Sequence, residues 1–299
     1  MYYTVTCNPA IDYVVHTGTL QIGTVNRTLS EEIHIGGKGI NVSCILHELG
    51  IPSKALGFIA GFTGEAIAQG LAERGISEDF IRLPQGFSRI NLKIHADGET
   101  ELNGQGPQIP ADALSALFAK LDQLTAGDTL ILAGSIPSSL PDDVYEQMLR
   151  RIEGKGIRAV VDATGALLRC VLPYKPFLIK PNHHELGELF GTTLTRTEEI
   201  AEYARKLQVL GAQNVLVSRA GDGALLLDEN GQVHTCGVCK GTVKHAVGAG
   251  DSMLAGFLAG LENGDFSHAL RLGTAAGGAT AFSDGLAKGE EILHLMEEF

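Results

Sequence analysis

The chain has 299 residues, 44% of them hydrophobic, and carries a formal charge of −12. This composition allows a large buried core in one or two domains. The negative charge argues against binding to nucleic acid or to an anionic membrane, and we expect a cytoplasmic protein because the sequence has neither a cationic leader nor an apolar stretch of membrane-spanning length.

Short apolar runs alternate with helical periodicities over most of the chain. The runs are typical of buried parallel strands and fall at 2–6, 55–59, 129–133, 159–161, 177–179 and 215–217. Helices are predicted between them at 40–49, 65–74, 110–124, 142–152, 184–190 and 198–210. A meander over 224–227 and 232–235 follows, and then two long helices rich in glycine and alanine. The alternation predicts a doubly wound α/β fold with a mostly parallel sheet.

Two segments interrupt this alternation, 13–35 and 89–102. Both alternate between apolar and polar residues, as strands with one exposed face do. From the residues alone, they could be two edge hairpins with no role beyond covering the sheet.

The motif Gly248-Ala249-Gly250-Asp251 opens a long apolar run. Small residues at the start of a helix let backbone amides approach an anion, which the helix dipole also favours. Asp251 could accept the proton of a hydroxyl that attacks a phosphate. Taken alone, the motif is more typical of an ordinary helix cap.

Four further motifs precede it in a fixed order. They are Asn8-Pro9-Ala10-Ile11-Asp12, Gly36-Gly37-Lys38-Gly39-Ile40-Asn41, Lys180-Pro181-Asn182-His183-His184-Glu185 and Val217-Ser218-Arg219-Ala220-Gly221-Asp222-Gly223-Ala224. In order and spacing, the set resembles the ribokinase-like carbohydrate kinases of the phosphofructokinase-B branch, from about Thr4 to Ala281. The paired GGKGxN and GAGD motifs are highly specific together.

The resemblance implies one ribokinase-like domain over 1–299, with a small β-lid from about 13–35 and 88–104. In such proteins the lid often pairs with that of a second subunit, so a homodimer is possible. The resemblance also implies ATP as phosphoryl donor and Mg²⁺ as metal, with a small phosphosugar as substrate.

The resemblance also gives each motif a role. It assigns Asp251 as the base and Gly248, Ala249 and Gly250 to the anion hole. It assigns to the sugar pocket Asp12, Arg27, Gly36, Gly37, Lys38, Asn41, Arg89 and Asn91. It assigns to the nucleotide Lys180, Asn182, Ser218, Gly221, Gly223, Gly277, Ala279 and Ser283, with Asn182 and Glu185 ordering Mg²⁺ and its waters. Ala246 stands where relatives often carry Ser or Thr. The sequence therefore does not predict a ligand for a monovalent cation at this position.

The cations predicted to border the sugar pocket indicate the substrate class. Arg27, Lys38 and Arg89 stand out in an acidic chain, and an arginine can bind a phosphate through two hydrogen bonds. The segment 88–93 resembles the members of this branch that phosphorylate the 6-hydroxyl of fructose 1-phosphate, giving fructose 1,6-bisphosphate. Tagatose 6-phosphate is the alternative substrate. A protein of this fold that senses sugar or nucleotide without turnover is the alternative of another class.

Five scattered cysteines are unlike a disulfide framework, and we predict reduced thiols. Cys236 and Cys239 have the spacing of a metal or redox pair. Because a second Cys or His pair is missing, we predict no zinc site there.

Overall fold

The structure is a computed structural model that describes residues 1–263 and 265–299. Its strands are β1 Tyr2–Thr6, β2 Ala10–His16, β3 Ser30–Gly36, β4 Ser53–Ala60, β5 Ser77–Glu78, β6 Ile81–Leu83, β7 Arg89–His95, β8 Glu99–Asn103, β9 Thr129–Ala133, β10 Arg158–Asp162, β11 Leu178–Ile179, β12 Asn214–Ser218, β13 Ala224–Leu227 and β14 Val233–Cys236. Its helices are α1 Lys38–Glu48, α2 Gly61–Glu73, α3 Ala111–Leu121, α4 Val144–Ile152, α5 Gly165–Val171, α6 His183–Leu189, α7 Thr197–Leu210, α8 Ala249–Gly260, α9 Phe266–Phe282 and α10 Gly289–Met296.

The larger sheet follows the order β14-β13-β12-β11-β10-β9-β1-β4-β5, with β6 paired to β4. From β12 to β5 the neighbouring strands are parallel. Strands β13 and β14 continue the sheet in antiparallel pairs. The mostly parallel sheet predicted from the alternating pattern is confirmed.

Strand β9 shows how this sheet divides the core. Leu130 and Leu132 pack into the cluster that includes α3 and α4, whereas Ile131 packs into the cluster that includes α8 and α9. Alternate side chains of a strand point to opposite faces. Helices therefore cover both faces of the sheet, as a doubly wound fold requires.

A second sheet of four strands runs in the order β3-β2-β7-β8. It begins at Ala10 rather than at residue 13, where the interrupting segment was predicted to start. The reason is that β2 follows β1 after only Cys7, Asn8 and Pro9, so the predicted turn motif runs directly into a strand. We call this second sheet the lid sheet.

The two faces of the lid sheet differ in chemistry. Residues paired across strands lie on the same face. One such row is apolar and consists of Ile33, Tyr13, Leu92 and Leu102. The next row is polar and consists of His34, Asp12, Asn91 and Asn103. The alternation seen in the sequence therefore separates a polar face from an apolar one.

The sequence pattern misses two helices, α5 and α10. Helix α5 has only seven residues, too few for a helical period to stand out. Helix α10 packs Ile292 and Leu295 into the same core cluster as α8 and α9. In the part of the chain that the structure describes, no helix combines the length and apolar character needed to cross a bilayer.

Candidate active site

The candidate site lies at the carboxyl edge of the parallel strands. Strands β1, β9, β10, β11 and β12 are consecutive neighbours in space, so their ends meet along one edge. Asn8, Gly134, Asp162, Lys180 and Ser218 lie at or just beyond those ends. Ligands of open α/β sheets bind outside this edge.

Helix α8 begins here, after Gly248. Gly248 adopts φ 79°, and a side chain on it would approach Leu286 Cδ2 to 2.8 Å, so glycine suits this position. Among the described residues, no side chain caps the N-terminus of α8. The Ala249 amide donates to the Ala246 carbonyl at 3.3 Å, so the amides of Gly250 and Asp251 are the ones that face a place suited to an anion.

Asp251, in the first turn of α8, is only 5% exposed. Asn41 Nδ2 donates a hydrogen bond of 2.8 Å to Asp251 Oδ2. This bond joins the GGKGxN and GAGD motifs, which lie far apart in the sequence. It leaves the second carboxylate oxygen, Oδ1, for another partner.

Two lysines and a second aspartate surround Asp251. Lys38 Nζ donates to Asp162 Oδ2 at 3.2 Å, and Lys180 Nζ lies 3.4 Å from Asp162 Oδ1. A side chain on Gly250 would lie 3.2 Å from Lys180 Nζ. The ammonium of Lys180 therefore sits beside the N-terminus of α8.

The charged groups of this cluster shift one another's pKa values. Burial, together with the negative charge of Asp162, raises the pKa of Asp251 to about 6. Burial alone would lower the pKa of Lys38, but Asp162 and Asp251 hold it above its ordinary value. Although Asp162 is buried, the two lysines lower the pKa of its carboxyl. A carboxylate whose pKa lies near the operating pH suits a general base.

The predicted sugar residues gather on the polar face of the lid sheet and beside it. Asn91 Nδ2 donates to Asp12 Oδ1 at 2.7 Å, and Arg89 Nε donates to the Asn8 carbonyl at 3.1 Å. A side chain on Gly36 would lie 2.6 Å from Asp12 Oδ2. Strand β3 of the lid sheet ends at Gly36 and α1 begins at Lys38. Gly37 alone therefore links the lid sheet to Lys38.

Five of the predicted nucleotide residues lie at the ends of β11 and β12, namely Lys180, Asn182, Ser218, Gly221 and Gly223. Asn182 and Glu185 form a capping box at the start of α6, with both hydrogen bonds at 2.8 Å. Asn182 also forms a parallel bridge with Ser218. The turn that follows Ser218 leaves open space around Gly221, whereas a side chain on Gly223 would overlap the Cys236 carbonyl. The hairpin itself therefore requires Gly223.

Three further predicted residues make packing or loop contacts. Gly277 packs against the Ala249 carbonyl, and Ala279 is 2% exposed in the core. Their small size serves the packing of α9 on α8. Arg27 lies in the exposed loop between β2 and β3, where its carbonyl accepts from Thr17. The structure records no contact between Arg27 and the other site residues.

Ser283 directly follows α9, and Cys239 lies beside Gly278 of the same helix. Ser283 Oγ donates to the Ala279 carbonyl and lies 3.1 Å from Glu291 Oε1. Cys236 and Cys239 are both buried. Within residues 1–263 and 265–299, no group of three or more His, Cys, Asp or Glu side chains is arranged to hold a metal ion.

Asp162 is the functional candidate that sequence reasoning missed. A strand was predicted over 159–161, and an acidic residue directly after a buried strand was the available signal. No motif flags it, because its partners Lys38 and Lys180 come from segments distant in sequence.

Comparison with known proteins agrees with this geometry. The model of the pfkB family carbohydrate kinases matches residues 6–292. The chain belongs to this family. It is 46% identical over 299 residues to 1-phosphofructokinase of Bacillus subtilis, covering 100% of this chain and 98% of that protein. It is 38% identical over 288 residues to D-tagatose-1-phosphate kinase of Bacillus licheniformis, covering 96% and 94%.

Solved structures give the same result for the fold. Phosphofructokinase-2 from Escherichia coli, in complex with substrates and products, superposes with a TM-score of 0.93 at 26% identity, covering 99% of this chain and 98% of that one. The crystal structure of a protein from Staphylococcus aureus gives a TM-score of 0.88 at 40% identity, covering 99% and 97%. The ribokinase-like fold predicted from the motifs is therefore confirmed, and the chain is a carbohydrate kinase of this family.

Proposed function

We propose that this enzyme transfers the γ-phosphoryl group of ATP to the 6-hydroxyl of fructose 1-phosphate, giving fructose 1,6-bisphosphate and ADP. The observation that carries the proposal is the buried Asp251 carboxylate, which Asn41 holds at an uncapped helix N-terminus beside two lysines. The relatives named 1-phosphofructokinase, at 46% and 37% identity over nearly the whole chain, support the substrate.

In the proposed step, the sugar O6 attacks the γ-phosphorus while its proton passes to Asp251. The new O6–P bond forms as the bond from phosphorus to the β,γ-bridging oxygen breaks, and ADP leaves with that electron pair. A pKa of about 6 lets Asp251 remain ionised at neutral pH and still accept a proton.

The α8 N-terminus supplies the electrostatic part of the mechanism. The amides of Gly250 and Asp251 and the Lys180 ammonium would face the equatorial oxygens of the transferring group. Such preorganised donors contribute about 2.7–4 kcal/mol each to the transition state. Lys38, on the other side of Asp162, adds a second cation.

The polar face of the lid sheet would hold the sugar. Asp12 and Asn91, already bonded to each other, offer a carboxylate and an amide to the sugar hydroxyls. Arg89, fixed to the Asn8 carbonyl through Nε, keeps its two terminal nitrogens for the existing phosphate of the substrate.

The residues present suit Mg²⁺ as the companion of ATP. Glu185 gives one carboxylate oxygen to the capping box, and its negative charge helps to raise the pKa of Lys38 in the cluster. Hard oxygens at this place match the preference of Mg²⁺, which keeps much of its water shell. Asn182 and Glu185 would hold the hydrated ion, which neutralises charge on the ATP phosphates.

We also propose that the apolar face of the lid sheet pairs with a second copy of the chain. Ile33 is 69% exposed and Leu102 59% exposed in the same cross-strand row. We expect Ile33→Asp to halve the mass measured by sedimentation, whereas Glu101→Gln, on the polar face, leaves it unchanged. A dimer that survives Ile33→Asp contradicts this pairing.

A coupled assay of ADP release tests the proposed function. The sugars to compare are fructose 1-phosphate, fructose 6-phosphate, tagatose 6-phosphate and tagatose 1-phosphate, the C4 epimer named by a relative. We expect the highest kcat/KM with fructose 1-phosphate. A higher value with either tagatose phosphate would reassign the substrate, and ADP release with none of the sugars would favour a sensing protein.

A further inference from the structure

We propose that Asp162 is a positioning residue for phosphoryl transfer, whose carboxylate holds the ammonium groups of Lys38 and Lys180 in place beside the N-terminus of α8. This inference rests on the proposed function and extends it to a residue outside the recognised motifs.

The geometry gives each oxygen of Asp162 one lysine. Asp162 ends β10 and is 1% exposed, with Oδ2 accepting from Lys38 at 3.2 Å and Oδ1 lying 3.4 Å from Lys180 Nζ. Lys38 starts α1 and Lys180 follows β11. A single carboxylate therefore ties together two cations from different elements.

The two contacts differ in kind. Lys38 makes a hydrogen bond, whereas Asp162 Oδ1 is buried without a hydrogen-bond partner and attracts Lys180 by charge alone. Lys180 is therefore near enough to be held and free to turn its N–H groups toward an anion. Because its Nζ lies beside Gly250, that anion would be the one bound at the first amides of α8.

Charge balance explains why a second carboxylate is needed. The cluster contains two ammonium groups and the carboxylates of Asp162 and Asp251, which sum to zero. If Asp162 were neutral, both lysines would turn to Asp251, whose carboxylate would then be a poorer proton acceptor. Asp162 thus keeps the lysines available to phosphate and keeps Asp251 basic.

The first test measures the titration of Asp251 directly, in metal-free enzyme without substrates. The ¹³C shift of the Asp251 carboxyl, assigned by its loss in Asp251→Asn, should give a midpoint near pH 6 in the wild type. In Asp162→Asn the midpoint should fall toward the ordinary aspartate value of about 3.9, because one like charge is lost and two cations move closer. Lys38→Met should shift it the other way, above 6.

The second test is kinetic. Loss of lysine alignment should lower kcat of Asp162→Asn by about 10²-fold, the usual effect of a small misplacement in an active site. The KM for the sugar should change less than about threefold, because the sugar residues lie in the lid sheet.

Asp228→Asn is the matched control. Asp228 is 2% exposed and accepts from His234 at 2.8 Å, in the β13–β14 hairpin away from the cluster. Its substitution should reduce stability but leave the Asp251 midpoint unchanged and kcat within about twofold.

Each outcome of these tests either supports or overturns the proposed role of Asp162. An Asp251 midpoint that stays near 6 in Asp162→Asn, or a kcat loss no larger than that of Asp228→Asn, overturns the proposal and leaves Asp162 as a buried counter-ion. If Asp162→Asn does not fold, Lys38→Met decides, and an unchanged midpoint there overturns it equally. Absence of kinase activity in the wild type would refute the proposed function, while the titration would still test Asp162.

Discussion

The cluster around Asp251 and the lid sheet solve different physical problems. Asp162 and Asp251 are 1% and 5% exposed and are held by partners from α1 and β11. In the lid sheet, by contrast, all five residues of β8 are exposed. A buried, balanced charge cluster suits chemistry that must exclude water, whereas a thin sheet with one polar face suits recognition of a hydroxylated, phosphorylated ligand.

This difference between the two regions predicts which kinetic property a substitution in each region should change. Changes in the Asp251 cluster should lower turnover, because its charges act on the transition state. Changes on the polar face of the lid sheet should weaken sugar affinity, because its residues act on the bound ligand in ground and transition states alike.

Asp251→Asn should give the largest effect. The variant keeps the shape of the side chain and removes the proton acceptor, so kcat should fall by about 10²–10⁴-fold, the range for a general base. Binding of ATP and sugar, measured by calorimetry, should change little. Near wild-type turnover in this variant would remove the base from the mechanism and erase the contrast between the two regions.

Arg89→Ala tests the lid sheet. Loss of a charge-assisted contact of about 1.5–3 kcal/mol should weaken phosphosugar affinity by roughly 10- to 150-fold and leave ATP affinity unchanged. Lys93→Ala is the control on the same strand, since Lys93 is already paired with Glu101 at 3.2 Å. We expect it to change affinity by less than about threefold. Equal loss toward ATP and sugar in Arg89→Ala would mean that the phosphate pocket lies elsewhere.

The pH dependence of activity should reflect the titration of the Asp251 carboxylate. With its pKa raised to about 6 by burial and by Asp162, Asp251 is ionised and active above that value and protonated below it. Activity should therefore fall by about tenfold per pH unit below pH 6. A phosphate ester also titrates near pH 6, so the profile is compared with that of Asp162→Asn. In that variant the loss of activity that comes from protonation of Asp251 should move to lower pH, whereas a loss that comes from the substrate should not. Identical acidic sides of the two profiles would assign the titration to the substrate.

The sequence predictions succeeded for features with a local sequence pattern and missed features that depend on tertiary contacts. The strands and the GAGD helix were predictable because burial on both faces and small residues at a helix start leave local patterns. The Asn41–Asp251 bond was not predicted, because the resemblance assigned Asn41 to the sugar pocket and nothing local connects the two residues. Asp162 was missed because its role is created by the tertiary meeting of β10, β11 and α1.

The assignment of Gly277 and Ala279 to the nucleotide stays a prediction, for a different reason. Small residues in a helix serve either a close ligand or a close neighbouring helix, and the sequence does not distinguish the two. The structure places Gly277 against the Ala249 carbonyl and Ala279 in the core. The start of the lid sheet was placed late because Asn8-Pro9 resembles a turn, although Ala10 already pairs with Gly36 and Arg89.

The smallest effect is expected at Cys236 and Cys239, which belong to neither region. Burial raises the pKa of Cys236, and it raises that of Cys239 to about 11, so both remain thiols at neutral pH and are poor metal ligands. We expect the Cys236→Ala and Cys239→Ala variants to keep activity within about twofold. A zinc-selective chelator should have no effect, whereas removal of Mg²⁺ should abolish turnover. Stoichiometric zinc in the purified enzyme, with loss of fold on its removal, would add a third functional region at β14 and contradict the two-region description.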